Sequence, residues 1–345
     1  FFFSSRRRHT RLVRSRGLGD VYKRQLPYSK AEEVGMLSSH LDQISDIIDE
    51  AIKNKEFPGA VVVIGRQGKI VFRSAYGLSQ RVPESRAMDI GMIFDLASIT
   101  KPVATATSIM ILVEKGRLNL WDKVVQYIPD FQPFRKDSKS EPEEVSIWHL
   151  LTHTSGLPPY ADVDKINKLY GSPCPRSSMV DYIGKLPKKD PPGKVFKYSC
   201  LGYITLAYIV EKITGMDISE FSRKYVFTPL GMKQTFFTPP DTLHELCVPT
   251  EVIQGKPLIG MVHDPLARLQ GGISGNAGLF SSADDLFTPV SNPISRSRQS
   301  GSTSQGDPNA LLIISAVSAA RANGLVIIRS IRVPSSCQRE IKRLI

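Results

Sequence analysis

The segment Phe94-Asp95-Leu96-Ala97-Ser98-Ile99-Thr100-Lys101 runs straight into an apolar, helix-compatible stretch from Val103 to Val113, and it constrains the chain more than any other feature. Ser98 and Lys101 stand three apart. On a helix that spacing puts both side chains on one face, about one turn from each other, so an amine can come within hydrogen-bond reach of a hydroxyl. An unaided serine is a poor nucleophile. A base beside it takes the proton as the oxygen attacks, and a lysine can be that base when desolvation or a neighbouring cation lowers its pKa. The apolar helix behind the pair supplies the desolvation. Taken alone, Ser-x-x-Lys is an exposed helical turn; here Ser98 is the only serine followed by lysine three residues on, and it sits where an extended Met92-Ile93-Phe94 segment meets a helix.

The formal charge of +12 suggests nucleic acid or an anionic membrane surface, but its distribution argues otherwise. Residues 1–25 carry eight Lys/Arg and one acid (+7), and residues 288–345 carry eight and two (+6). Residues 26–287 therefore hold 29 basic and 30 acidic groups (−1). No nucleic-acid function follows from a neutral body, and the basic-aromatic patterning of RNA binders is not found in it. Residues 1–25 have no apolar h-region or cleavage site of the secretory kind. Ser5 through Gln25 resembles translated sequencing-adapter read-through, so residues 1–25 are expected to be a non-native leader and any export signal to be lost.

From Leu26 the composition is that of a globular protein of one large domain or two lobes. Leu41, Ile44, Ile48, Ala51 and Ile52 predict a helix to about Lys53, ended before Phe57-Pro58-Gly59. Ala60 to Ile64 and Lys69 to Tyr76 predict a β-hairpin around Gly65-Arg66-Gln67-Gly68. Gly116 is a C′ candidate for the helix after Ser98. Ser146 can cap a short helix carrying Trp148, His149, Leu150 and Leu151 that breaks at Thr152-His153-Thr154-Ser155-Gly156-Leu157. His149 and His153, four apart without an acidic partner, predict packing and loop hydrogen bonds rather than a metal site. Cys174, Cys200, Cys247 and Cys337 lack metal or redox spacing.

The second stretch with chemical content is Gly193 to Tyr203. Tyr198 leads a turn into a helix with Ile204, Leu206, Ala207, Ile209, Val210 and Ile213, ending at Gly215. It reads either as a packing tyrosine at the start of that helix or as a phenol that passes a proton between nucleophile and leaving group.

Together, Ser98-Ile99-Thr100-Lys101, Leu150 to Leu157, Tyr198 to Tyr203, Pro229-Leu230-Gly231-Met232 and Gly271 to Ser281 resemble the β-lactamase-related serine hydrolases. These include class C β-lactamases, D-alanyl-D-alanine carboxypeptidases and esterases of the same fold. The likeness covers residues 26–287, five motifs in order. It implies an α/β (α+β) chain of the β-lactamase/transpeptidase type: an antiparallel sheet flanked by helices, a mainly helical lobe, and Ser98 between them. It further implies Ser98 as the acylated nucleophile, Lys101 as its base or base partner, and Tyr198 as the first residue of a Tyr-x-Asn motif. No metal or organic cofactor is implied. The substrate would be a small molecule or peptide, and family resemblance implies a periplasmic or extracellular location.

The sequence departs from the family at two points. Cys200 stands where the substrate-binding asparagine is usual, so a thiol replaces an amide that contacts substrate carbonyl and lysine. Asn276 stands where relatives often carry histidine, a structural variation. After Phe287 no Lys-Thr-Gly or His-x-Gly triplet follows, and the composition turns rich in Ser and Arg. Two apolar runs there, Leu311 to Val317 and Leu325 to Ile328, are too short to span a bilayer. A frameshift near residue 287 would account for this. The expected domain is then 26–287, incomplete, with an aberrant 288–345 tail. One oxyanion donor would be absent, at about 10²–10³ in turnover, and the hairpin edge would be open unless the tail covers it. Three readings stand: a serine hydrolase acting on an ester or amide; a silent relative that binds peptide or cell-wall fragments, favoured by Cys200 and the missing triplet; and an interaction protein using its basic ends, disfavoured by the neutral body.

Overall fold

The computed structural model describes residues 26–287 and the backbone of Leu325–Arg329. Residues 1–25, the Leu311 to Val317 run and Cys337 lie outside the described residues. In chain order the elements are α1 (Ser38–Lys53), β1 (Gly59–Arg66), β2 (Lys69–Gln80), β3 (Arg86–Ala87), β4 (Ile93–Asp95), α2 (Thr107–Glu114), α3 (Ile147–Leu151), α4 (Val163–Tyr170) and α5 (Arg176–Lys185). There follow α6 (Cys200–Thr214), α7 (Ile218–Ser222), α8 (Thr228–Leu230), β5 (Phe236–Phe237), β6 (Val252–Ile253), β7 (Lys256–Pro257), α9 (Pro265–Leu269), β8 (Leu279–Ser282), α10 (Ala283–Leu286) and β9 (Leu325–Arg329).

The Ala60 to Ile64 run is apolar at every position because β1 is covered on both faces. Ala60, Val62 and Ile64 pack under α1 against Leu41 and Ile48, while Val61 and Val63 face the central core. The expected hairpin forms, with Val61 opposite Ala75 and Val63 opposite Arg73. Its turn has φ of 53° at Gln67 and 72° at Gly68, the two positive values that a two-residue turn of matching twist needs.

The larger sheet runs β3-β2-β1-β9. The expectation of an all-antiparallel sheet holds from β3 to β1, but β9 joins β1 in parallel, Val61 opposite Leu325 through Gly65 opposite Arg329. The β1 edge expected to be open is thus covered by the second apolar run, Leu325 to Ile328. A parallel neighbour needs a crossover of a dozen or more residues, which the chain between Phe287 and Leu325 exceeds.

A second, three-stranded sheet in the order β4-β8-β5 carries the Ser98 turn. Its strands are two to four residues long. Helix α6 is the axis of the helical lobe: every residue from Cys200 to Ala207 is buried, the all-round burial expected of a core helix. Helix α2 ends at Glu114 with Lys115 as its C-cap, the Gly116 N–H on the Val113 carbonyl and the Arg117 N–H on the Leu112 carbonyl, so Gly116, at φ 63°, is the C′ residue of a Schellman ending. No helix among the described residues is long and apolar enough to cross a membrane.

Gly275 ties the lobe to the sheet. A Cβ there would lie 2.0 Å from the Tyr203 carbonyl oxygen and 2.7 Å from the Ala207 Cβ. Only a glycine lets the 274–278 strap lie against α6, where Thr105 Oγ1 donates to the Gly275 carbonyl at 2.8 Å. Gly275→Ala is expected to destabilise the fold by about 1–3 kcal/mol through overpacking, read as a lowered thermal midpoint; an unchanged midpoint would mean that the strap moves freely.

Candidate active site

Strand β4 ends at Asp95, and the chain turns sharply into the helix that carries Lys101. Leu96 N–H still bonds the Leu279 carbonyl of β8 at 2.9 Å. Ala97 then takes φ 45°, a left-handed conformation that costs a residue with a Cβ roughly 1–2 kcal/mol. The buried Asp95 carboxylate holds that conformation in place: Oδ1 accepts from the Ala97 N–H at 2.8 Å and Oδ2 from the His263 N–H at 2.8 Å. Burial pushes the Asp95 pKa up, and these two backbone donors oppose the shift. A 3-10 turn, Ala97–Ile99, leads to a π-helical turn, Lys101–Ala106, before α2 begins. Such wide turns recur at functional sites.

The turn brings Ser98 and Lys101 together. Lys101 Nζ lies 2.9 Å from Ser98 Oγ and 2.9 Å from the Asn276 carbonyl oxygen, in a position only 3% exposed. An ammonium donates to the serine oxygen across that contact, and a neutral amine can accept from it. The Asn276 carbonyl is fixed in turn. Asn276 Nδ2 donates to Asp264 Oδ1 at 3.0 Å, and its Oδ1 accepts from Ser274 Oγ at 2.7 Å. Asp264 caps α9 through the Ala267 N–H and accepts from Tyr160 Oη.

Tyr198 meets the pair with its ring face. Lys101 Nζ is 4.9 Å from the ring centroid, within cation–π range. Among the described residues no hydrogen bond joins the Tyr198 hydroxyl to Ser98 or Lys101, so the proton-passing geometry expected of this phenol is not formed in this state. Cys200 opens α6, its N–H on the Pro159 carbonyl at 2.9 Å. Burial pushes its thiol pKa up, while Lys101 and the Asn276 amide pull it down. The thiol therefore borders the lysine where the family's amide is expected.

His153, predicted to take part in packing and loop hydrogen bonds, does both at this site. Its ring lies between Tyr198 and Tyr203, at centroid distances of 4.5 and 5.1 Å. Its Nδ1 accepts from the Ser199 N–H at 3.1 Å. Desolvation first, and then the charge of Lys101, pushes its pKa down to about 4. His149 Nδ1 accepts from the Ser146 N–H at 3.1 Å, and Ser146 is the N-cap of α3, as the sequence predicts. No group of three His, Cys, Asp or Glu side chains that could hold a metal occurs among the described residues.

Sequence reasoning missed the place of His153 beside Tyr198, and it missed Asp95, Asp264 and the Asn276 carbonyl. Asp264 had a readable signal, an Asp followed by proline in the N-cap and N1 positions. The Asn276 contribution is a main-chain oxygen and leaves no residue-type trace.

The beta-lactamase family profile matches residues 44–320. The chain is 31% identical over 281 residues to an N-acetylmuramyl-L-alanine amidase of Bacillus subtilis, covering 74% of this chain and 63% of the relative. It is 29% identical over 288 residues to a putative D-alanyl-D-alanine carboxypeptidase of Escherichia coli, covering 76% and 65%. It thus spans just under two thirds of the length of these relatives. EstCE1, a hydrolase with promiscuous acyltransferase activity, shares the fold at TM-score 0.60 and 24% identity over 72% of this chain and 71% of its own. The matched span takes in the Ser98 turn, the Tyr198 loop and the 274–278 strap, and the chain belongs to the beta-lactamase family, whose members are serine hydrolases.

Proposed function

We propose that this chain is a serine hydrolase that acylates Ser98 with an ester or amide substrate and then passes the acyl group to water. The observation that carries the reading is the 2.9 Å contact of Lys101 Nζ with Ser98 Oγ in a buried position. As Ser98 Oγ attacks the carbonyl carbon, its proton goes to the Lys101 amine. The tetrahedral intermediate collapses, and the departing alcohol or amine takes a proton from Lys101, directly or through Tyr198. Water then repeats the sequence on the acyl-enzyme. Tyr198 fits the relay once substrate draws its hydroxyl inward, because catalytic hydrogen bonds often tighten only in the substrate complex.

The finer proposal is an amide of a cell-wall peptide, suggested by the names of the amidase and carboxypeptidase relatives; EstCE1 keeps esters in view. A fluorophosphonate probe followed by peptide mapping tests the chemistry. The expected result is a single adduct on the peptide bearing Ser98, and an adduct elsewhere or none would overturn the assignment. A second reading, a silent relative that binds cell-wall peptide, is favoured by the thiol of Cys200 beside Lys101 in place of an amide. Peptide binding without any adduct would select it.

A further inference from the structure

His153 is unusual in three independent ways. It is a non-glycine residue at φ 58°, and its ring is enclosed by the aromatic rings of Tyr198, Tyr203 and, at 5.9 Å, Phe196. Its main chain and side chain both bind the Tyr198 loop: the His153 carbonyl accepts from the Lys197 N–H at 2.8 Å, and Nδ1 accepts from the Ser199 N–H at 3.1 Å. One residue thus grips the chain on either side of Tyr198 and stacks on the ring between the two grips. Left-handed backbone at a non-glycine position persists only where its surroundings over-determine it, and it clusters at functional sites.

We infer that His153 is the positioning residue of Tyr198, and that it holds Tyr198 against Lys101 only as the neutral imidazole. The proposal rests on the serine-hydrolase reading for its link to rate, but not for its geometry. Accepting the Ser199 N–H requires a bare Nδ1. Protonation turns that acceptor into a donor facing a donor, and sets a second positive charge near Lys101. The titratable or charged groups around the imidazole are Lys101, Tyr198 and Tyr203; Lys197 in the adjoining loop pairs with Asp190 at 4.0 Å. The one carboxylate named, Asp190, faces Lys197, so no unpaired negative charge among these groups stabilises an imidazolium at neutral pH. In the fold this group titrates near 4, below its ordinary value of 6.5. Its contribution to stability is therefore fully present above the unfolded value and is lost as the pH falls through the folded one. The Tyr198 loop should release in that same acid window.

Two variants separate the acceptor from the stack. His153→Asn suits left-handed backbone, offers an amide oxygen to the Ser199 N–H and does not titrate, but it loses the ring. His153→Phe keeps the ring and loses the acceptor. The rate of Ser98 acylation by a fluorophosphonate is measured on the wild type and both variants, from neutral pH to below the His153 value, with circular dichroism at each pH to confirm folding. The wild type is expected to lose rate reversibly with an acid midpoint near 4, a step that should vanish in His153→Asn although its neutral-pH rate is lower. His153→Phe is expected to be slower at every pH, by up to about tenfold for one lost hydrogen bond. The same acid step in His153→Asn, or the wild-type rate in His153→Phe, overturns the proposal. If the wild type takes no label, the hydrolase reading fails separately, and the Tyr198 ring proton resonances, assigned with Tyr198→Phe, decide the matter. They should shift with the acid step in the wild type and not in His153→Asn; no shift in the wild type overturns the positioning role. A variant that fails to fold is replaced in the comparison by this same titration of the wild type.

Discussion

Ser98→Ala is expected to abolish hydrolysis of a small activated ester such as nitrophenyl acetate while the fold survives. The size of the loss follows from the role: removing the nucleophile of a serine hydrolase lowers turnover on the order of 10⁶-fold, and whatever remains comes from binding and electrostatics around the carbonyl. The structural cost is small. Ser98 is only partly buried, and its hydroxyl bonds Lys101, a net hydrogen bond of about 0.5–1.5 kcal/mol. Lys101 keeps its anchor on the Asn276 carbonyl, so the turn should stay in place. Ester turnover and thermal midpoint are measured together on the variant. Full activity would place the nucleophile elsewhere and sink the assignment.

The contact of Ser98 with Lys101 was legible in the sequence because it is local. Three residues of helical spacing decide whether the two side chains meet, and the apolar stretch behind them announces the burial. The hairpin and α1 were legible for the same reason: the apolar run of β1 and the spacing of Leu41, Ile44 and Ile48 are patterns within a single element. The sheet around β4 was not. Its strands are too short for alternation to register, and they exist because Phe94 and Phe280 find partners almost two hundred residues apart in the chain, with Phe94 opposite Ser281 and Asp95 opposite Phe280. The direction of β9 could not be read either, since an apolar run says that a segment pairs and not which way it points.

The less legible part of the candidate site is the part that holds Ser98, Lys101 and Tyr198 in place. The packing and loop hydrogen bonds of His153 were legible, but its place beside Tyr198 was not, because that depends on a backbone angle and on three rings that fold onto it from the Phe196 to Tyr203 stretch. Asp95 acts on the turn through the Ala97 N–H, and Asp264 acts on Lys101 through the Asn276 amide and main chain. Each reaches the Ser98–Lys101 pair only through another residue. Sequence spacing finds residues that touch, and it is blind to carboxylates that work through another residue's backbone. Cys200 is the converse case: its departure from the family pattern was plain in the sequence, and its consequence, a buried thiol bordering Lys101, needed the fold.

Lys101→Met should cost acylation about 10²–10⁴-fold, the usual worth of a positioned proton transfer. Methionine keeps much of the unbranched stem in the space between Ser98 and the strap but has no amine to take the serine proton. It leaves the buried Asn276 carbonyl without its lysine donor, a loss of about 1–3 kcal/mol, so some fall in thermal midpoint is expected. The kinetics separate this from the fall in rate. A variant that is merely less stable recovers its acylation rate when assayed well below its midpoint, whereas one that lacks the base stays slow there. Tyr198→Phe is the measure of scale. Its hydroxyl is not engaged with the pair in this state, so its loss should lower the rate less than the loss of the amine. Single-turnover labelling of Ser98 in the two variants ranks them directly. Unchanged acylation in Lys101→Met would show that the serine is activated by some other group, and the short contact between Ser98 and Lys101 would then be a structural hydrogen bond at the start of a helix.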